Sequence, residues 1–264
     1  MYRLSILFSA LLFLYFPSAH ALVINAVGVA AGEDFNDFNG SGFSPSPTAG
    51  QLDSDVWRVT GLSDGDGGFG GSYEAGDFAR GVAYGAVSRG GIWSFDTASG
   101  SGTALGVQPT GSDFTPGAVT LKVMNNTPTI LTSLLVEYDL FVFNDQRRSS
   151  FFNFSYSGDD LLYADVATAL VVSPETADNQ PSWVRSSRSF TLTGLSILGT
   201  DPFYLRWSGG DNSTPGRRDQ FALDNIRVTA FSAAPVSVPG PSSWFLIALG
   251  LVVLGYQQRV SVLR

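Results

Sequence analysis

Alternation of apolar and polar residues is the feature that most limits what this chain can fold into. From residue 22 to residue 231, no apolar pattern with a 3.6-residue period persists for ten residues, whereas a two-residue period recurs. Ala118–Asn125, for example, places its two valines and Leu121 on one face and its threonine and lysine on the other. Because side chains alternate between the two faces of a β-strand, this pattern predicts strands rather than helices. The predicted strands are Val23–Val29, Asp55–Thr60, Gly91–Phe95, Ala118–Asn125, Leu134–Asn144, Phe151–Tyr156, Ser189–Thr193, Phe203–Ser208 and Gln220–Thr229.

Turn residues divide these strands into short, regularly spaced units. Thirty glycines and 13 prolines punctuate the chain. Regular short strands with such turns are typical of a β-sandwich, and about 210 residues are enough for one sizeable core. Ala164–Val172 is a stretch that could form a turn or two of helix. The sequence contains no cysteine, so the stability of the fold must come from its core.

The acidic balance of the chain limits its partners. All 23 acidic residues lie between residues 22 and 231, where 11 arginines and Lys122 oppose them, so this part has a net charge of −11. Such a surface disfavours nucleic acid and anionic lipid as partners and is compatible with divalent cations.

A single histidine, His20, decides which chemistry is open to the protein. It lies in an N-terminal segment that we expect to be removed, so the mature chain has neither histidine nor cysteine. This excludes Ser-His-Asp and Cys-His nucleophilic catalysis, zinc sites built on these residues and histidine general bases. Acid–base chemistry would have to use a carboxylate pair or Lys122, and we therefore expect that the protein is not an enzyme.

The N-terminus has the organisation of a secretory signal peptide. A short basic region precedes 13 apolar residues, Leu4–Phe16. Ala19 and Ala21 then form an A-x-A cleavage site. We expect residues 1–21 to be a signal peptide and the exported mature chain to begin at Leu22.

The C-terminus carries an apolar run that is expected to enter a membrane. Trp244–Tyr256 contains 13 residues without charge, about 20 Å of helix against a hydrocarbon core of about 30 Å. Flanking polar residues can lie at the interface, and Arg259 can extend its guanidinium to it. Arg259 and Arg264 follow the run, so the C-terminus is expected on the cytoplasmic side and the body outside.

The residues that precede this run resemble a bacterial PEP-CTERM sorting signal. The motif residues are Val238, Pro239, Pro241 and Ser242. In that family a V-P-E-P-(S/T) box is followed by a short transmembrane helix and a basic end, and an exosortase processes the signal; Gly240 stands here in place of the glutamate. The resemblance implies a Pro-rich linker with the sorting motif at residues 232–241 and a single transmembrane helix with a basic tail at residues 242–264. It also implies a protein at the cell envelope or cell surface of a bacterium that produces extracellular polysaccharide, anchored by its C-terminus or released after processing.

The end of the body resembles the closing hairpin of jelly-roll modules. The strand Tyr204–Ser208, an Asp/Gly/Asn/Ser loop and the segment Arg218–Val228 are similar to concanavalin-like, MAM-like and carbohydrate-binding modules. The resemblance implies an all-β fold, a single jelly-roll-like antiparallel β-sandwich at residues 22–231. It also implies that the last strand returns beside the first, near Leu22–Glu33. Because this fold hosts many activities, it does not by itself assign a function.

Asp224 is the residue of this hairpin with a possible metal-binding role. It lies on the apolar phase of its strand, and a carboxylate that points inward must be paired, hydrogen-bonded or bound to a metal. In the resembled modules an aspartate at this place often helps to hold a structural calcium near the N-terminal strand, where Glu33 and Asp34 lie here. The alternative is that Asp224 caps backbone amides or pairs with Arg206 or Arg218. No other cofactor is expected.

Two further patterns each allow a structural and a functional interpretation. Four tryptophans of the body could form a platform on which sugars stack, but aromatic residues in a sandwich are mostly core. These tryptophans are Trp57, Trp93, Trp183 and Trp207. The segment Gly65–Gly70 satisfies G-x-G-x-x-G, but it lacks the following helix of a dinucleotide site and is predicted to be a surface loop.

These observations leave three functions open. The first is an exported, surface-anchored, non-enzymatic bacterial protein associated with extracellular polysaccharide or matrix. The second is a carbohydrate-binding module that acts at that polysaccharide. The third is a glycoside hydrolase that uses carboxylates alone, which needs two carboxylates at a set separation across a cleft. The expected partners are the membrane, an exosortase-like enzyme and extracellular polysaccharide, and not nucleic acid.

Overall fold

A computed structural model describes residues 22–98, 102–213 and 216–233. Within these residues the chain forms sixteen β-strands and two short 3-10 helices. The strands are β1 (Leu22–Ile24), β2 (Ala30–Glu33), β3 (Phe43–Ser44), β4 (Leu52–Asp53), β5 (Trp57–Thr60), β6 (Val82–Ala83), β7 (Gly91–Asp96), β8 (Thr103–Gln108), β9 (Gly117–Asn125), β10 (Leu131–Phe143), β11 (Ser150–Ser157), β12 (Ala164–Asp165), β13 (Val171–Val172), β14 (Trp183–Ile197), β15 (Pro202–Asp211) and β16 (Gln220–Ser232). The 3-10 helices are Gly76–Phe78 and Ala167–Ala169.

Seven strands form the first sheet, along the order β1-β9-β15-β11-β12. β1 and β5 pair with successive stretches of β9, and β12 and β13 pair with successive stretches of β11. The long strands β9, β15 and β11 are antiparallel to one another, whereas the short β1 runs parallel to β9. The centre of this sheet is therefore antiparallel, as predicted.

Seven strands also form the second sheet, along the order β14-β10-β16-β8-β7-β6. β16 lies between β10 on one side and both β2 and β8 on the other. The pairing of β16 with β2 confirms that the last strand returns beside the start of the body. The fold is the predicted all-β, jelly-roll-like sandwich, with parallel pairs at β6–β7 and in the separate pair β3–β4.

The apolar faces of the two sheets enclose the main core. Val119, Leu121 and Val123 of β9 are each at most 1% exposed, as their alternation predicts. Trp207 of β15 lies at the centre, with its ring centroid 5.4 Å from that of Tyr138 on β10 and 5.4 Å from that of Phe154 on β11. These rings join the two sheets, and burial raises the pKa of Tyr138 well above its usual value.

The edges of the sheets differ most from the sequence prediction. β14 has 15 residues where only Ser189–Thr193 was expected, because an edge strand that pairs with β10 alone leaves many side chains exposed on both faces and shows little apolar alternation. Ala164–Val172, where a turn or two of helix was considered, contains one 3-10 turn between two short strands. β8 was not predicted.

Several predicted features lie outside the described residues. They are the signal peptide with Ala19 and Ala21, the sorting residues Val238, Pro239, Pro241 and Ser242, and the transmembrane helix at residues 242–264. Among the helices that the structure describes, none has the length and apolar character needed to cross a bilayer.

Candidate binding face on the second sheet

A β-bulge in β16 decides which side chains reach the outer face of the second sheet. Between Asp224 and Arg227 the register with β10 shifts by one residue, and Asn225 at the bulge has a φ of +52°. One extra residue reverses the phase of a strand. Asp224 therefore lies on the outer face, while Ile226 lies in the main core. The expectation that Asp224 points inward on the same phase as the apolar residues after it is wrong, although the side chain is buried.

Five aromatic side chains form a continuous row on this outer face, called here the aromatic row. In order they are Tyr84, Phe143, Trp183, Phe95 and Trp93. Successive ring centroids are 6.1, 5.2, 4.9 and 6.2 Å apart. The rings come from the segment after β6 and from β10, β14 and β7, so pairing of distant strands assembles the row. Tyr84 is 51% exposed, and both tryptophans are partly exposed.

Hydrogen bonds fix both indole rings of the aromatic row. Nε1 of Trp93 donates to the carbonyl oxygen of Arg89 at 3.1 Å, and Nε1 of Trp183 donates to the carbonyl oxygen of Tyr84. Because the polar atom of each ring is already bonded, the surface left for a ligand is the apolar ring. A ring held in advance also loses little conformational entropy on binding.

A second, smaller hydrophobic cluster supports the aromatic row from beneath. Phe95, Ala104, Phe141 and Ala222 are each at most 1% exposed and pack together on the outer face of the sheet. Gly106 leaves room for the ring of Phe95, since a Cβ atom at this glycine would lie 2.0 Å from Cδ2 of Phe95. The row is therefore built on paired strands as well as on loops.

A polar pocket of about 330 Å³ opens on the same face. It is lined by Glu137, Tyr138, Asp139, Ser187, Arg188, Ser189, Asn225 and Arg227. Oδ1 of Asp139 accepts a hydrogen bond from Oγ of Ser187 at 2.6 Å and lies 3.7 Å from Nε of Arg185. Asp139 precedes Phe141 by two residues on β10, so the pocket adjoins the second hydrophobic cluster.

Two carboxylates of this face, Asp139 and Asp224, lie beside each other and bind the same amide group. Glycosidases place two carboxyl groups on either side of the bond that breaks. Asp139 and Asp224 instead share one donor, Nδ2 of Asn225, at 3.0 and 3.2 Å, and Asp224 is 1% exposed. A ligand can therefore meet an apolar ring surface beside a carboxylate, an amide and guanidinium groups, which suits a flat molecule rich in hydroxyls.

Among the described residues, Glu33, Asp34 and Asp224 do not form a group of three carboxylates that could hold a metal ion. No group of three or more carboxylate, histidine or cysteine side chains in this part of the chain is placed to hold a metal ion. Glu33 accepts the backbone amide of Phe35 at 3.2 Å, and burial raises its pKa. Oδ1 of Asp224 accepts the backbone amide of Asn225 at 2.7 Å, which agrees with the alternative that Asp224 caps an amide.

The glycine-rich segment Gly65–Gly70 packs on the outer face of the first sheet. The ring of Phe69 lies 5.9 Å from that of Tyr204 and has the cations of Arg58 and Lys122 at 4.7 and 4.8 Å. It follows no βαβ unit, so the interpretation as a surface loop rather than a dinucleotide site agrees with the fold.

The four tryptophans of the body, for which both core and platform positions are open from the sequence, divide between two environments. Trp57 and Trp207 lie in the main core at 2% and 0% exposure, whereas Trp93 and Trp183 belong to the aromatic row. The sequence gives no signal for this division, because all four lie on strands and only the pairing shows which sheet face each one occupies. Tyr84 and Phe143 were not singled out, and their place in the row also depends on pairing.

Comparison with known proteins gives structural likenesses alone. No protein-family model matches the chain, and no curated protein matches its sequence. The chain is similar to the CBM22-1 xylan-binding domain from Paenibacillus barcinonensis, with 10% identity, 79% of this chain and 98% of that chain covered, and a TM-score of 0.40. It is similar to a carbohydrate-binding module specific for non-crystalline cellulose (9% identity, 53% and 80% covered, TM-score 0.33) and to a cleaved adhesin domain of Lys-gingipain (14% identity, 76% and 97% covered, TM-score 0.38). With TM-scores below 0.5, these likenesses assign neither a ligand nor a function to this chain.

Proposed function

We propose that this protein is a non-catalytic carbohydrate-binding protein, exported and held at the cell envelope, with the outer face of the second sheet as its saccharide-binding surface. The observation that carries the proposal is the aromatic row with two fixed indoles beside a polar pocket on one sheet face. The C–H faces of a sugar ring pack on aromatic rings, while its hydroxyls need donors and acceptors at the ring edge. Few other ligand classes need both over an open, elongated surface.

Each part of the face has a role in this proposal. Trp183 and Trp93 supply the stacking surface, because their indole N–H groups are already bonded within the protein. Asp139 accepts hydrogen bonds from sugar hydroxyls, and Arg185, whose side chain is 54% exposed, donates hydrogen bonds to hydroxyl oxygens from the edge strand. Phe143 and Phe95 are buried, so the rings that successive sugars of a polysaccharide can contact are the exposed or partly exposed ones, Tyr84, Trp183 and Trp93.

The binding test compares Trp183→Ala and the unaltered mature protein by affinity electrophoresis in gels that contain soluble polysaccharides. We expect retardation by at least one polysaccharide, with an affinity about tenfold or more weaker for Trp183→Ala, as for an aromatic residue central to an interface. The matched control is Tyr204→Ala, a partly exposed ring on the outer face of the first sheet, which should bind as the unaltered protein does. The outer face of the second sheet would not be the binding surface if Trp183→Ala were retarded as strongly as the unaltered protein, or if Tyr204→Ala lost retardation as much as Trp183→Ala.

Export and anchoring form the second part of the proposal. They rest on the signal-peptide pattern, on the apolar run Trp244–Tyr256 and on the resemblance to a PEP-CTERM signal. β16 ends at Ser232, the first residue of the segment 232–241 that is assigned to the Pro-rich linker. An exosortase-like enzyme would process the tail, and extracellular polysaccharide would be the ligand of the anchored or released body.

Intact mass of the protein recovered from the fractionated native envelope checks this part. We expect a chain that begins at Leu22, because cleavage follows Ala21, and that ends within Pro239–Ser243 if the signal is processed. A membrane-bound chain that retains Arg264 would show an anchor without processing. Soluble protein that begins at Met1 would overturn the proposal of export.

A further inference from the structure

One end of the sandwich, called here the exit end, is where the described chain leaves the second sheet. β16 ends at Ser232, which pairs with Leu131 at the start of β10, and Leu131 also pairs with Ile197 at the end of β14. In the first sheet, Ile24 pairs with Asn125. The connections at residues 25–29, 126–130, 158–163 and 198–201 therefore all lie at this end.

The exit end carries a concentration of exposed apolar side chains. They are Val29, Ile130, Leu161, Leu162, Leu198 and Phe231, each 40–81% exposed. Leu161 and Leu162 are the most prominent, at 81% each. Single exposed apolar residues need no explanation, but several on adjacent connections form a surface that favours an apolar partner.

The turn that presents the two leucines is fixed by hydrogen bonds. Oδ1 of Asp159 accepts the backbone amides of Leu161 and Leu162, both at 2.9 Å, and the hydroxyl of Ser157 at 2.8 Å. The next carboxylate, Asp160, forms a two-point ion pair with Arg58 at 2.6 Å. The leucines are therefore held out from the sandwich without cover from the described residues.

The sequence after Ser232 indicates what meets this end. Eleven residues, 233–243, separate Ser232 from the uncharged run Trp244–Tyr256. Eleven residues span at most about 40 Å, so insertion of that run would keep the exit end within this distance of the bilayer. A tether this short makes a second contact with the same membrane effectively intramolecular, so even a weak one is populated.

We propose that the exit end is a membrane-contact surface, on which Leu161 and Leu162 enter the interface of a zwitterionic phospholipid bilayer; this inference rests on the proposed membrane anchor. The contact is apolar rather than electrostatic. The exposed charged residues near it include Asp159 and Asp201, whereas the exposed Arg147 lies at the opposite end, after β10. Because acidic groups are repelled by anionic lipid, a zwitterionic surface is the better match.

Contact at the exit end also orients the binding face. The strands of the second sheet run between the exit end and the opposite end. When the exit end contacts the membrane, these strands therefore point away from the membrane surface. The aromatic row lies towards the opposite end, because Phe143 ends β10 and Trp183 begins β14. The saccharide-binding surface would then face sideways and away from the lipid, open to polymer outside the cell.

The absence of cysteine from the sequence allows a direct test with single labels. Mature protein with Leu161→Cys carries a polarity-sensitive fluorophore and is mixed with phosphatidylcholine liposomes that contain spin-labelled lipid. The matched control is Arg147→Cys, an exposed site at the opposite end. We expect flotation of both proteins with the liposomes, and a blue shift with quenching by the spin-labelled lipid at position 161 alone.

Each outcome separates this inference from the proposed anchor. Failure of both proteins to float overturns the anchor and the inference with it, whereas flotation with an aqueous, unquenched label at position 161 overturns the inference alone. A blue shift of the label at position 161 when the protein concentration is raised without lipid also overturns the inference, because the label would then be buried between two copies of this chain. Leu161 is 81% exposed, so loss of folding does not complicate the result. Leu162→Cys repeats the measurement on the neighbouring side chain.

Discussion

Replacement of Trp207 by alanine is expected to lower the free energy of unfolding of the sandwich by about 3–5 kcal/mol, the range for removal of a buried aromatic side chain. Trp207 has 0% exposure and contacts Tyr138 edge-on at 5.4 Å and Phe154 at 5.4 Å. Tyr138 belongs to the second sheet, so its contact with Trp207 helps to hold one sheet against the other, whereas Phe154 is the neighbour of Trp207 on the paired strand of the first sheet. The chain has no disulfide to compensate.

Urea unfolding followed by far-ultraviolet circular dichroism measures this loss without dependence on tryptophan fluorescence. Trp207→Phe is the matched control, because it keeps a ring in the core and should lose less than half as much. The slope of the free energy against urea should stay the same for both variants, since each unfolds to the same exposed chain. A loss below about 1 kcal/mol for Trp207→Ala would show that the core closes around the cavity or that this ring does not join the sheets.

Replacement of Asp219 by asparagine is expected to stabilise the protein at neutral pH. Asp219 is 0% exposed, and burial raises its pKa to about 6, with a further contribution from the nearby Asp145. Oδ1 of Asp219 accepts the backbone amide of Gln146 at 2.9 Å, and the carbonyl of an asparagine can keep this bond. The substitution therefore removes a costly buried charge while it preserves shape and one hydrogen bond.

The sign of the pH dependence follows from this raised pKa. Between the unfolded value of 3.8 and the folded value of about 6, the folded state binds more protons, so the stability of the unaltered protein falls as the pH rises through this window. A shift of about two units corresponds to an upper limit of about 3 kcal/mol. The advantage of Asp219→Asn should thus be absent near pH 4 and reach its full value above pH 7.

Urea unfolding at pH 4, 5, 6, 7 and 8 tests the prediction for Asp219. Asp159→Asn is a control of opposite sign, because the backbone amides of Leu162 and Leu161 hold the pKa of the Asp159 carboxyl below its usual value. The ionised carboxyl group of Asp159 stabilises the folded protein above its unfolded pKa, and this contribution disappears as the pH falls. Asp159→Asn should therefore be less stable than the unaltered protein at neutral pH. Stability of Asp219→Asn that runs parallel to the unaltered protein at every pH would contradict the raised pKa.

The fold could be predicted from the sequence for strands that pack one face against the core and direct the other face away from it. The middle of β9 alternates clearly because one face meets the core, so Val119, Leu121 and Val123 give a two-residue period. The return of the last strand beside the first followed from the resemblance to jelly-roll modules, and the pairing of β2 with β16 confirms it. In β9 and in the closing hairpin, a short stretch of sequence therefore indicates which side chains are buried.

The candidate site could be predicted only in part, because it depends on pairing between distant strands. On β10, Phe141 and Phe143 lie on the face opposite Leu140; Phe141 packs in the second hydrophobic cluster and Phe143 in the aromatic row. The bulge at Asn225 has only a weak local signal, since glycine is the usual residue at a positive φ and asparagine adopts it less often. Without that bulge the sequence assigns Asp224 to the wrong face, and the polar pocket cannot be recognised.

The position of β16 in the second sheet has a consequence for when this protein can fold. β16 is the last strand in sequence but lies between β10 and β8, and it also pairs with β2, nearly 200 residues earlier. During synthesis the two halves of the second sheet cannot join until the segment Gln220–Ser232 has left the ribosome. Contacts this distant in sequence also close slowly. The second sheet of a chain with this topology therefore stays incomplete until β16, the last strand that the structure describes, has been made.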